Sequence, residues 1–493
     1  MIRTRWKHVS MLLVLLLTTV TVLSACTKSD NGNGNANTAQ TNTDSKATSS
    51  NNASGNEAAD NAGAGATNAG NGDPITLRLT AWGAPDEVAA MKVAIAKYEK
   101  AHTNIKVDFQ AITADYDTKL TTMVAGNDEP DVAMMESGTI AYPLAEQGKF
   151  LNLQDFLDKD GEITPDALVP NITYSAEPGN VIGVAPGPET FALFYNEDVF
   201  KDAGLTPPPS DASEAWTWDQ FVEVAKKLTI DSKGRNASEE GFDPKNIKQF
   251  GVNLPTWWGV YSNFIYSNGG DFLSADGKTL GLNQPEAVEA IQKLADLINV
   301  DHVAPSPLQA KNIPGTNVAL QTKKVAMAFD GQWASTGLAQ SKFNYNVGVL
   351  PIMKSPMTTV VCGMFSIFKS SKHPQEAWEL LKALIDPEAS LDLLTAGTWM
   401  PSHKDWYTDA DKLAKWTENL PSRPSGYKGA VIDVLLSHSH PTPTAYVKNF
   451  NKIMDVINPA LDKVWLGKQT AKDALDAVAA KAQEQVQGRR DVG

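Results

Sequence analysis

Residues 75–136 switch between two hydrophobic periods, and that alternation narrows the fold more than any other feature of the chain. ITLRLTA (75–81) alternates apolar and polar residues as a strand does, and DEVAAMKVAIAKYEKAH then sets Val88, Met91, Ile95 and Tyr98 on one helical stripe. IKVDFQAI alternates again through Ile105, Val107 and Phe109, DTKLTTMVAGN is helical with Leu120, Met123 and Val124, and PDVAMME is a short apolar strand entered through a proline. The order β-α-β-α-β predicts a parallel sheet covered by helices. Ligands of such sheets bind beyond the carboxyl ends of the strands, which here are Trp82-Gly83-Ala84-Pro85 and Glu136-Ser137-Gly138-Thr139.

A second unit opens at GVAPGPETFALFYNEDVFKDAGLTPPP. Its Pro/Gly-rich entry, the apolar strand Phe191–Tyr195, a short helix and a proline stop read as a chain crossing into a new lobe. Thr217 and Gln220 have capping-box spacing ahead of FVEVAKKL. PEAVEAIQKLADLI, PQEAWELLKALI and the C-terminal AKDALDAVAAKAQEQVQ are amphipathic helices, and no internal repeat is visible. From Pro74 onward the body holds about 420 residues, more than one hydrophobic core usually takes, so two lobes are expected.

The N-terminal end has a different logic. Arg3, Arg5 and Lys7 precede the apolar run MLLVLLL, which is too short for a stable membrane span and reads as an export signal over residues 1–25. The run closes on Leu23-Ser24-Ala25-Cys26, which resembles the bacterial lipobox, so Cys26 is expected to become the first mature residue and to carry diacylglycerol. A plain secretory signal with a chance cysteine, or a Cys26–Cys362 disulfide, are the alternatives. Residues 26–74 form a tether: from 27 to 72 there is no Val, Ile, Leu, Met or aromatic residue to offset chain entropy. Such a coil spans roughly 35–40 Å. The whole chain carries −14 and the signal three basic residues and no acid, so the mature protein stands at −17. Nucleic acid and anionic headgroups are poor partners for that charge. No later run of 18 apolar residues occurs, and the lipid would be the link to the membrane's outer face.

Taken in order, LTAWG, GNDEPDVAMM, ETFALFYNEDVFKDAGLTPPP, WTWDQFVEVAKKLT, YSNGGDF, VAMAFDGQWA and GMFSIFKSSKHPQEAWELLKAL resemble family 1 of the extracellular solute-binding proteins of ABC importers, the maltose-binding-protein-like group. The resemblance covers nearly all of residues 75–493. It implies an α/β, two-lobe periplasmic-binding-protein-like fold with three hinge crossovers, a ligand cleft between the lobes and closure of the hinge around a sugar. It further implies a monomer without a cofactor that delivers its ligand to permease subunits driven by a cytoplasmic ATPase. Laid on this chain, the crossings fall near Pro186–Pro188, Val347–Pro351 and Thr395–Trp399. Lobe 1 is then residues 75–187 plus 351–395, and lobe 2 residues 188–350 plus 396–493.

A pyranose presents an apolar C–H face and a rim of hydroxyls, so its site needs flat aromatics and carboxylates or amides. Of twelve tryptophans, one (Trp6) falls in the signal, and several of the rest sit in loops beside Gly or Pro: Trp82, Trp257, Trp258, Trp333 and Trp399. Trp378, on a helical stripe, reads as core. By family position Trp333 and the Trp257-Trp258 pair stack on sugar rings, and Glu189 and Glu136 accept hydroxyl hydrogen bonds. Trp82, Asp86 and Trp399 complete the candidate set. Glu136-Ser137 replaces the Asp-Arg pair of the maltose binder after the third strand, and Gly83-Ala84-Pro85 replaces its charged residues after the first, so maltose itself is not implied.

DSKGRNASEEGFD (231–243) is faintly like a calcium loop but misses the D-x-[DN]-x-[DN]-G pattern, which favours an acidic surface loop. His438-Ser439-His440 lacks a second ligand cluster nearby and reads as a polar loop, so no metal site is expected. Two functions compete with transport. An extracellular glycosidase also uses paired carboxylates and aromatic platforms, although neither G-x-S-x-G nor H-E-x-x-H occurs; a sensor subunit would bind the same sugar for a different readout.

Overall fold

The computed structural model describes residues 73–83, 85–161 and 163–490. Cys26, the signal and the tether up to residue 72 lie outside the described residues, as does the side chain of Asp86.

The expected opening units form as read. Strand β1 (Ile75–Ala81) is followed by helix Pro85–Ala101, β2 (Ile105–Ala111), helix Tyr116–Ala125 and β3 (Val132–Met135). β1 pairs in parallel with β2 on one side and β3 on the other. β3 lies inside the sheet and all four of its residues are buried, whereas β2 at the edge alternates. β4 (Thr173–Glu177) and β5 (Asn180–Val184) follow as a hairpin.

The chain then crosses to a second sheet made by β6 (Phe191–Asn196), β7 (Ile230–Asp231), β8 (Ile247–Asn253), β9 (Val325–Gly331) and β10 (Tyr345–Gly348), in the order β10-β6-β9-β8-β7. Next come β11 (Thr358–Val360), β12 (Met364–Ile367) and β13 (Ser439–Pro441). β12 returns to the first sheet, between β3 and β5 and antiparallel to both, so that sheet runs β2-β1-β3-β12-β5-β4 and is mixed. The parallel expectation holds for β1–β3 alone. Helix Trp218–Leu228 starts on the predicted capping box, with both reciprocal bonds of Thr217 and Gln220 present.

Two buried clusters form, the first of which extends from the first sheet to Phe194, Val325 and Val347 of the second. Leu77, Leu79, Val132 and Ile367 are buried with Trp378 around the first, and Phe221, Phe264, Ile291 and Phe329 around the second. Burying one such side chain contributes about 1.5–3 kcal/mol. Trp378 is 1% exposed and its indole N–H donates to Asp160 at 3.2 Å, as its helical position predicts.

The first two crossovers run side by side. Glu189 N–H donates to the Val361 carbonyl at 3.0 Å, and Val361 N–H to the Glu189 carbonyl at 2.8 Å. Before that point the return strand stays bound to second-sheet neighbours: Ile352 N–H to Trp216 O at 2.9 Å, and Thr359 N–H to Asn263 Oδ1 at 2.6 Å. The passage into the first sheet is therefore at 361–363, later than the 347–351 expected from sequence, because polar partners on the second side hold residues 352–359. Residues 397–445 bond to both sides. Tyr345 O–H donates to Pro421 O at 2.6 Å, Lys404 N–H to Ala167 O at 2.9 Å, and the hydroxyls of Thr444 and Ser137 meet at 2.8 Å.

Candidate functional site

A cavity of about 480 Å³ opens where the strand ends of the two sheets face each other. Trp82 follows β1, Glu136 follows β3, and Gly363 precedes β12. From the opposite side, Trp257 follows β8 and Trp333 follows β9, while Glu189 sits on the crossover just before β6. All are at strand ends, where the doubly wound arrangement leaves backbone free to carry a site. Trp399 completes one wall.

Phe191, 2% exposed, supports two of the three indoles. Its ring centroid lies 5.4 Å from that of Trp333 at an interplanar angle of 81°, and 5.9 Å from that of Trp257. The third, Trp82, meets Tyr116 edge-on at 5.1 Å, and the Tyr116 hydroxyl is fixed by Thr80. Beside Trp333, the Asp330 carboxylate takes the Gly331 N–H at 2.8 Å and the Thr316 hydroxyl. Burial raises the Asp330 carboxyl above its ordinary value, with Thr316, the Gly331 N–H and Trp333 opposing.

Each of these indoles lies over a glycine. A Cβ on Gly331 would fall 2.1 Å from the Trp333 ring, on Gly259 2.2 Å from the Trp257 ring, and on Gly363 2.5 Å from the Trp82 ring. No side chain fits beneath these rings, so the bare glycine backbone sets how deep each platform sits.

The charged groups lining the cavity are carboxylates. Burial, then the negative charge of Asp117, pushes Glu136 up to about 7, with the Ser137 N–H opposing. Burial, then Glu87 and Glu136, holds Glu189 well above its usual range. With flat aromatic faces and acceptors around one space, the arrangement suits a ligand with C–H faces and donor groups at its rim.

Six of the residues singled out from sequence thus line one cavity: Trp82, Glu136, Glu189, Trp257, Trp333 and Trp399. They do not contribute alike. Trp257 is 40% exposed and presents a face, whereas Trp399 is 3% exposed and serves as wall. Trp258 turns away, edge-on to Phe450 at 5.6 Å against the second core, because Trp257 is extended and Trp258 starts a helix. Asp86 lies in the first turn of helix Pro85–Ala101, its side chain outside the described residues.

Glu87, the supporting role of Phe191, and Gly259 and Gly363 escaped the sequence reading, whereas Gly331 was legible as the turn before Trp333. Gly259 stands two positions from Trp257 as Gly331 does from Trp333, a spacing that could have flagged it. Gly363 and Trp82 are brought together by the fold alone.

The two sequence motifs weighed for metals have internal partners. Asp231 is buried; although burial raises its carboxyl, the N–H groups of Arg235, Lys233 and Asp243 and the Arg235 guanidinium bring it down to about 2. His440 stacks on Tyr266 with centroids 3.9 Å apart. Among the described residues no group of three or more His, Cys, Asp or Glu side chains is placed to hold a metal ion. Cys362 is buried, its Sγ 3.1 Å from the Tyr174 hydroxyl.

The sequence model of the bacterial extracellular solute-binding proteins matches residues 83–390. The chain belongs to that family. Among its relatives, the sn-glycerol-3-phosphate-binding periplasmic protein UgpB of Yersinia enterocolitica is 24% identical over 417 residues, covering 78% of this chain and 86% of that protein. In structure the chain is similar to the ABC substrate-binding protein Lmo0181 of Listeria monocytogenes, solved in complex with cycloalternan: 26% identity, TM-score 0.71, 84% of this chain and 99% of that one. The ABC transporter solute-binding protein of Thermotoga lettingae bound with α-D-tagatose has the same fold at 22% identity, TM-score 0.67, with 84% and 100% covered. These solute-binding proteins share the two-lobe α/β architecture described above, and no helix among the described residues is long and apolar enough to cross a membrane.

Proposed function

We propose that this solute-binding protein captures a carbohydrate, an oligosaccharide, in the cavity between its sheets and delivers it to the permease subunits of an ABC importer powered by a cytoplasmic ATPase. The observation that carries the reading is the placement of Trp82 on one side of the cavity and Trp257 and Trp333 on the other, with Glu136 and Glu189 among them. A sugar ring stacked on both sides would favour the closed form over the open one, which is how ligand energy becomes hinge closure. The lobes in this reading are residues 75–187 plus 362–395 and 188–361 plus 396–493. The paired crossovers at Glu189 and Val361 supply the hinge.

The protein works as a monomer, exported by residues 1–25, held at the outer membrane face by diacylglycerol on Cys26, and free to move on the tether of residues 26–74. It binds its sugar without turning it over. Glu136 and Glu189 give a glycosidase reading some footing, since a carboxyl held above its ordinary range is what a general acid needs.

A tryptophan-fluorescence and thermal-shift screen against plant and bacterial oligosaccharides tests both. A true ligand at a hundred times its Kd stabilises the fold by about 2.7 kcal/mol and makes the particle more compact in small-angle scattering, with no new reducing ends after incubation. Failure of every sugar to shift the melting curve would remove the carbohydrate reading, and accumulating reducing ends would replace it with the hydrolase.

A further inference from the structure

The ionisable side chains lining the cavity are Glu87, Glu136 and Glu189, and no Lys, Arg or His lines it among the described residues. The cation packed behind Trp399, Arg423, is buried and donates to the carbonyls of Leu394, Trp399 and Ser422, so it is committed to the backbone. Asp117, on the helix beside Glu136, adds a further negative charge to the same field. An anionic solute would find no cationic side chain in the described lining.

We infer, resting on the carbohydrate reading above, that the solute is a saccharide bearing a protonated amine, its ammonium held by Glu189 and Glu136 and its ring faces by Trp82, Trp257 and Trp333. A neutral polyol needs acceptors, and the hydroxyls of Thr336 and Thr398 and the amide of Gln340 already line the cavity to provide them. Converging carboxylates add something a hydroxyl does not use fully. Neighbouring carboxyls in one desolvated space are held toward the protonated form, and a ligand cation between them favours their ionisation and forms charge-assisted bonds about twice as strong as neutral ones. The indole faces act in the same direction, since tryptophan is the aromatic side chain best suited to attract an ammonium.

The test is a calorimetric panel on the full chain at one pH and ionic strength: cello-, malto- and manno-oligosaccharides of two to four units, chitosan oligomers of the same lengths, and the N-acetylated chitosan series, which keeps the nitrogen without its charge. The tightest ligand is expected to be an amine-bearing one, bound roughly tenfold tighter than its neutral counterpart. Glu189→Gln, and independently Glu136→Gln, should cut that preference to below about threefold, with the melting temperature of the free protein reporting that each variant is folded. A neutral or N-acetylated saccharide as the tightest ligand overturns the inference and leaves the carbohydrate reading standing. An amine preference unchanged in both Gln variants also overturns it. Binding of no saccharide at all removes the carbohydrate reading and this inference with it.

Discussion

The indole of Trp333 stands edge-on to the ring of Phe191, with centroids 5.4 Å apart and planes at 81°, and lies over the bare backbone of Gly331. One contact fixes the plane of the platform and the other its depth, so the exposed face is aimed before a ligand arrives. Trp333→Ala is therefore expected to raise the sugar Kd by about 30-fold to several hundredfold, corresponding to ~2–4 kcal/mol. The half-buried ring leaves stability less affected than truncation of Trp378, where the loss should be about 3–5 kcal/mol with affinity nearly intact. Melting temperature and Kd on both variants separate the two roles; a collapsed melting temperature with unchanged Kd for Trp333→Ala would make it a core residue.

Gly331→Ala probes the same platform from beneath. The added Cβ would lie 2.1 Å from the indole, so the ring has to lift or tilt, an overpacking that typically costs about 1–3 kcal/mol. Weaker sugar binding by roughly tenfold is expected, read by calorimetry. In the Trp333→Ala background the same glycine substitution should weaken binding no further, because the ring it displaces is gone. Additive losses in that cycle would mean that Gly331 acts through something other than Trp333.

Glu136 makes the free protein's stability depend on pH. Its folded-state value, pushed up to about 7 by burial and then by Asp117, lies above the ordinary glutamate range. Between the two, the folded protein keeps a proton that the unfolded chain releases, so stability rises as pH falls through 7 and levels off once the unfolded carboxylate also protonates. For a partly accessible group the effect should be on the order of 1 kcal/mol, or roughly 1–2 °C for a body of this size. Glu136→Gln should flatten that part of the melting-temperature profile; an unchanged slope would place the titration elsewhere.

Cys26→Ala tests the anchor. The variant is expected in the medium or soluble fraction, folded and with the wild-type sugar affinity, since the cysteine lies far in sequence from every cavity residue. Retention in the membrane fraction as firm as wild type would contradict the anchor.

The paired hydrogen bonds between Glu189 and Val361 show why some of this was legible in the chain and some was not. Local periodicity is set by the residues themselves, so β1–β3 with their two helices, the capping box at Thr217 and the core helix around Trp378 could be read directly. Loop tryptophans next to glycine could also be singled out, because an indole there has no helical stripe to join. The antiparallel insertion of β12 beside β3 could not be read, since it depends on which edge of a sheet is open after the chain has left and returned. For the same reason the second crossover lies at 361–363: polar partners on the second side decide how long the strand stays there.

By itself the sequence determined a two-lobed α/β chain whose strand ends carry aromatic and acidic loops. Only the tertiary structure decided that Trp257 faces the cavity while its neighbour Trp258 packs inward, that Phe191 supports two platforms at once, and that Gly363 makes room for Trp82 from a distant part of the chain. The physical reason is range: hydrophobic period and capping act within a few residues, whereas a site of this kind is made by contacts between segments far apart in sequence, and their relative depth and tilt are set by close packing.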